Sequence, residues 1–149
     1  MDMLDSKVTE FLEKNHPAAM VSLRPDGTPH VARVAIGLLE GRLLSSGTQT
    51  RLRTRFLRRD PRCTLFVFDS QTAGSPRWLG LETWVTILDG PDVPDISLRF
   101  FRALQGLSGE SDTITWYGQP RTIDEFRKLM VEDQRILYEF DVQRWYGMY

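Results

Sequence analysis

The spacing of apolar residues changes period several times along this chain, and each change marks an element. Val8, Phe11 and Leu12 recur at helical spacing, so residues 5–15 are predicted to form a helix capped by Asp5 or Ser6. Residues 18–23 form an apolar strand-like run ended by Pro25-Asp26-Gly27. An Asp-Gly pair between two apolar runs signals a hairpin, so residues 30–36 become its returning strand. Glu40-Gly41 then turns the chain into a third strand over residues 42–46. A helix is expected from about residue 49 to Arg59, stopped by Asp60-Pro61. Strands follow at residues 63–68 and 78–88, separated by a Ser/Gly/Thr-rich loop. Residues 96–107 read as a helix, residues 108–120 as irregular, and residues 123–131 as a further helix. A last strand covers residues 135–142 and leads into an aromatic tail, Trp145 to Tyr149. Early hairpins without βαβ alternation predict a mainly β fold, an antiparallel barrel of about six strands with peripheral helices. Residues 1–149 are read as one domain, with no internal repeat.

Composition narrows the class. Hydrophobic content of 41% and charged content of 26% are those of a globular chain. No apolar run reaches the roughly 18 residues that span a bilayer. The acidic, amphipathic start is not a secretory signal, which predicts a cytoplasmic protein. A single cysteine, Cys63, excludes an internal disulfide framework, and with two histidines it leaves no zinc ligand set. His16 is read as capping the end of the first helix and His30 as structural or surface. No GxSxG elbow, P-loop or GxGxxG is present. Side-chain acid–base catalysis therefore has few candidates, and any enzyme chemistry is expected to reside in a cofactor.

Charge is where the chain departs from the ordinary. Its net charge is −1, yet Arg51, Arg53, Arg55, Arg58, Arg59 and Arg62 crowd into one short stretch. They follow a strand and a small-residue turn, Ser45-Ser46-Gly47-Thr48. Strand, turn and basic helix start together can hold a phosphate, through backbone N–H groups and guanidinium forks. Two other readings compete: a solvated helix face, and a contact for nucleic-acid phosphates. Arg53 discriminates, because it lies about 200° around an ideal helix from Arg51 and fits no single basic stripe. The balanced net charge weighs against nucleic acid.

The string Phe56-Leu57-Arg58-Arg59-Asp60-Pro61-Arg62 resembles the NLRRDPR signature of the pyridoxamine 5′-phosphate oxidase-like flavin/deazaflavin oxidoreductases. The preceding Arg51, Arg53 and Arg55 match the basic run of that signature. The Asp26-Gly27-Thr28-Pro29 hairpin, the Trp78 strand ending in Asp89-Gly90, the Asp124-Glu125-Phe126-Arg127 segment and the Trp145-Tyr146-Gly147 ending agree in order. The F420-binding subgroup is the most similar. The resemblance implies a six-stranded split β-barrel that forms a homodimer with its cofactor at the interface. It implies a cofactor phosphate on Arg51, Arg53 and Arg55, with Ser45, Ser46 and Thr48 in the adjoining turn. Arg33, Val34 and Ala35 fall on the strand that lines the cofactor ring, and Trp78 where relatives place an aromatic residue near the site. The pattern departs at Arg53, where lysine is frequent, and at Phe56, where asparagine is frequent.

The expected function is an F420-dependent oxidoreductase passing a hydride between the deazaflavin and an apolar or conjugated small-molecule acceptor. The alternatives are an FMN flavoprotein of the pyridoxamine-phosphate-oxidase type and a non-catalytic F420- or tetrapyrrole-binding protein. No catalytic side chain and no metal ligand is assigned. No nucleic-acid partner and no membrane span are expected. An excess of arginine over lysine, sixteen to three, fits a GC-rich, actinobacterial source. The segment 108–120, with Trp116 and Tyr117, is read equally as an acceptor-pocket wall and as a plain surface loop.

Overall fold

A computed structural model describes residues 4–149. The reading of residues 1–3 as part of a non-secretory start lies outside them. Helix α1 (Ser6–Lys14) opens the chain, its first turn closed by the Asp5 carboxylate accepting from Val8 N–H at 2.8 Å. Strands β1 (Pro17–Leu23), β2 (Pro29–Leu39) and β3 (Arg42–Thr48) form a meander. Helix α2 (Leu52–Arg59), strands β4 (Arg62–Phe68) and β5 (Trp78–Leu88) and helix α3 (Val93–Leu104) follow. A short hairpin, β6 (Thr113–Trp116) and β7 (Gln119–Thr122), precedes helix α4 (Ile123–Glu132) and the long β8 (Arg135–Met148).

Six strands close an antiparallel barrel, as the hydrophobic pattern predicts, and they do so in the order β1-β2-β3-β8-β5-β4. Alternation decides which side chains fill it. Leu43, Leu65, Val67, Leu79, Leu81, Ile136, Tyr138 and Phe140 point inward and are buried, and α1 plugs the interior with Val8, Phe11 and Leu12. Each such aliphatic side chain contributes about 1.5–3 kcal/mol by leaving water. The outer face of β3 and β8 presents Leu44 and Leu137, which α3 covers with Val93, Ile96 and Phe100. Helix α4 and the small hairpin add a third cluster around Ile114, Trp116, Phe126 and Met130.

Three expectations are corrected. Residues 108–120 are not wholly irregular, because 113–122 form the β6–β7 hairpin. Its two-residue turn places Tyr117 at φ 48° and Gly118 at φ 76°, and a tyrosine in that left-handed position hid the turn from residue-type rules. The aromatic tail is not a tail: β8 runs through to Met148, pairing with β5 past a register shift between Glu82 and Thr83. His16 does not cap α1, whose C-cap is Asn15; its Nδ1 lies 3.0 Å from Ile36 O and ties β2 to the start of β1.

Candidate functional site

The site is built where two strands part. The β2–β3 ladder begins at Leu39↔Arg42 and ends at Ile36↔Ser45. Beyond that point β2 continues only with β1, to Leu23↔Pro29, while β3 continues only with β8, to Thr48↔Arg135. Among the described residues, no strand pairs with the β2 edge over 29–35 on that side. Arg33 and Ala35 project outward beside this gap, whereas Val34 turns into the barrel core.

Helix α2 is held against the end of β3 by one buried threonine. Thr54 donates to Thr48 O at 2.7 Å, and its hydroxyl lies 2.5 Å from the Tyr138 hydroxyl. Tyr138 in turn fits under Gly47, where an added Cβ would stand 2.7 Å from the phenol ring. A side chain at 47 would therefore push α2 and its arginines away from the strands.

The arginine cluster divides by partner. Arg58 donates to Gln49 at 2.6 Å and to Asp89 at 3.2 Å. Arg59 donates to Arg24 O at 2.8 Å, and Arg62 forks onto Asp60 at 3.0 and 2.7 Å. These three are held by the protein itself. Arg51, the N-cap of α2, and Arg55 are exposed and make no side-chain hydrogen bond or ion pair among the described residues. Arg53 is half-buried with its guanidinium 5.8 Å from the Tyr138 ring centre, and its Nε donates no hydrogen bond. Burial lowers the Arg53 pKa, and the like charges of Arg51 and Arg135 add to that, against the favourable effect of Tyr138. A cation held this way is best relieved by an anion.

The neighbouring side chains take different parts. Ser45 is buried and donates to Ala35 O at 2.8 Å, so its hydroxyl is committed to the backbone. The Ser46 hydroxyl is buried without a hydrogen-bond partner among the described residues. Thr48 lies 3.3 Å from the Thr50 hydroxyl. Phe56 meets His30 edge to face at 5.4 Å, so where relatives often carry asparagine this chain has a packing contact over the open β2 edge. Trp78 is not brought to this site. It lies on β5, two strands from β3, stacked on Phe66 at 5.6 Å.

A cavity of about 350 Å³ opens beside the gap, with Ala35 and Ser46 as floor and Phe101, Trp116, Tyr117 and Arg135 as walls. Residue-type reasoning missed Arg135, which precedes an apolar strand and belongs to no arginine run. Its pairing with Thr48 is the only signal, and strand register is not written in local composition.

No family model matches the chain, and no curated protein matches it. Solved structures do. A conserved hypothetical protein from Mycobacterium tuberculosis, Rv2991, superposes with a TM-score of 0.77 at 16% identity, over 98% of this chain and 84% of that one. A protein named F420 reductase gives 0.68 at 17% identity, over 96% and 98% of the two chains. A Listeria innocua protein assigned as a pyridoxamine 5′-phosphate oxidase gives 0.62 at 14%, over 95% and 94%. The fold is the pyridoxamine 5′-phosphate oxidase-like split barrel. Heme-binding proteins share this split barrel as well: one from Mycobacterium smegmatis gives 0.63 and the heme storage protein HutZ from Vibrio cholerae 0.66.

Proposed function

We propose that this protein is an F420-dependent oxidoreductase that works as a homodimer on a small-molecule acceptor. The observation that carries the reading is Arg53, a half-buried cation whose Nε has no partner, set beside the parted strands and next to the free Arg51. The residues present fit a phosphorylated, ring-bearing cofactor. Arg51 and Arg53 would hold the phosphate, with Arg55 and Thr48 near it, and bidentate guanidinium contacts favour phosphate oxygens. The unpaired β2 edge at Arg33 and Ala35 offers backbone groups to a flat heterocycle, and Arg33 adds a positive clamp. Val34 would not touch the ring, because its side chain is in the core and its backbone pairs with Ala18 of β1. Ser45 would act by fixing Ala35, while the Ser46 hydroxyl lies at the adjoining cavity.

When bound, the deazaflavin supplies a hydride donor or acceptor at a ring carbon. The chain's task is then to orient two rings and exclude water. No carboxylic acid or histidine lines the adjoining cavity, which favours catalysis by positioning. Trp78 would reach a cofactor only through a second copy, and its outward neighbours Phe66, Phe68, Tyr146 and Met148 form the apolar face such a copy would cover.

FMN carries the same kind of phosphate and is the second reading on that ground. Titration with F420, FMN and heme, on wild type and on Arg53→Ala, tests the assignment. F420 should bind, and the substitution should weaken it by about tenfold or more. Oxidation of reduced F420 by an acceptor panel then separates an enzyme from a binding protein. Unchanged F420 affinity in Arg53→Ala would sink the phosphate clamp, and saturable binding without turnover on every acceptor would sink the enzyme.

A further inference from the structure

We infer that the cavity beneath the β6–β7 hairpin binds a planar, conjugated carboxylate, with the carboxylate on Arg135 and the Ser46 hydroxyl. Under the F420 reading this ligand is the acceptor, which sharpens that acceptor from apolar to anionic.

Arg135 carries the argument. Its side chain is 7% exposed. Its Nε makes a long ion pair, 3.6 Å, with the Asp133 carboxylate, which is itself 39% exposed. One terminal nitrogen donates to the Tyr117 hydroxyl at 3.2 Å, the guanidinium lies 4.7 Å from the Trp116 ring centre, and Nε donates no hydrogen bond. A buried guanidinium whose counter-charge is one long ion pair to a part-exposed carboxylate is weakly compensated, and an anion in the adjoining cavity would complete it.

Ser46 supplies the second orphan. It pairs with Leu137, two residues along β8 from Arg135, so both side chains stand on the same outer face. Its hydroxyl is buried and unpartnered. The Arg135 guanidinium and the unpartnered Ser46 hydroxyl thus border one cavity, and no carboxylate lines that cavity. An anion is the ligand class that satisfies both.

The remaining walls select shape. Phe101 and Trp116 meet edge to face at 5.2 Å, and Trp116 and Tyr117 at 5.0 Å, giving an aromatic wall over the small Ala35 floor. Gln105 is spent holding this wall in place: it donates to Thr115 O at 2.8 Å and accepts from Thr115 N–H at 3.0 Å. A volume of about 350 Å³ suits a one- or two-ring ligand. A bare phosphate would leave the aromatic wall uncovered.

The test is calorimetric titration of the full chain with 2-naphthoate and with its neutral isostere 2-naphthamide, alongside a separate F420 titration. Wild type should prefer the naphthoate by about tenfold or more. Arg135→Gln should erase that preference, and Ser46→Ala should weaken naphthoate alone by a smaller factor. F420 affinity should fall far less in Arg135→Gln than in Arg53→Ala, since Arg135 reaches the phosphate site only through its charge near Arg53. Equal affinity of wild type for acid and amide overturns the inference without any variant. So does an Arg135→Gln protein that keeps the preference, or one that loses F420 as well. Selective naphthoate binding in a protein that ignores F420 supports the pocket and defeats only the cofactor reading.

Discussion

Arg53 and Cys63 show how burial sets the chemistry of single side chains. The Arg53 pKa is lowered, by burial first, so the fold disfavours its charge at neutral pH. Arg53→Met should therefore leave the unliganded protein as stable as wild type or more so, while F420 affinity falls. Urea denaturation and titration of the same sample check both halves, and a large loss of stability would make Arg53 a structural residue instead. Burial also pushes the Cys63 thiol up to about 12, against weaker opposing hydrogen bonds from Thr83 and Val21. Near neutral pH it stays protonated and unreactive. A disulfide reagent at pH 8 should leave the native protein unlabelled and modify one thiol after unfolding.

At the scale of elements, the α2–β3 junction holds the greatest leverage. Thr54→Val would leave Thr48 O and the Tyr138 hydroxyl short of a partner, costing about 1–3 kcal/mol. Gly47→Ala would force a methyl into the Tyr138 ring, at a similar cost of about 1–3 kcal/mol. Both should lower the thermal midpoint and weaken F420 binding together, because each displaces the helix that presents Arg51 and Arg53. The end of α2 has its own pH signature. The Arg62 hydrogen bond holds the Asp60 carboxyl down to about 2, below its ordinary 3.8. Because the folded pKa is depressed, the stabilisation is fully present above pH 3.8 and is lost as pH falls through about 2. Asp60→Asn should flatten that acid limb in a pH series of urea midpoints.

For the whole molecule, the barrel wall opposite the parted strands is the surface to explain. Phe66, Phe68, Tyr146 and Met148 are 41%, 42%, 42% and 55% exposed, and they sit together on neighbouring strands. Tyr146 packs over Gly80, whose missing side chain makes room for the ring. Phe66→Glu changes no core contact, so the barrel should still fold while the protein shifts from dimer to monomer in analytical ultracentrifugation. A monomeric wild type would remove the second copy, and with it the route by which Trp78 reaches a cofactor.

Residue order alone was enough for the barrel, because period-two alternation and the Asp26-Gly27 and Glu40-Gly41 turns are local signals that burial merely obeys. It also singled out Arg53, since a helix turning 100° per residue cannot place Arg51 and Arg53 on one stripe. The β6–β7 hairpin escaped because Tyr117 occupies a turn position that glycine or asparagine usually marks. Arg135, the Ser46 vacancy and the remoteness of Trp78 were decided only in three dimensions. Each depends on which strand lies beside which, and in what register, and pairing between residues far apart in the chain leaves no trace in local composition.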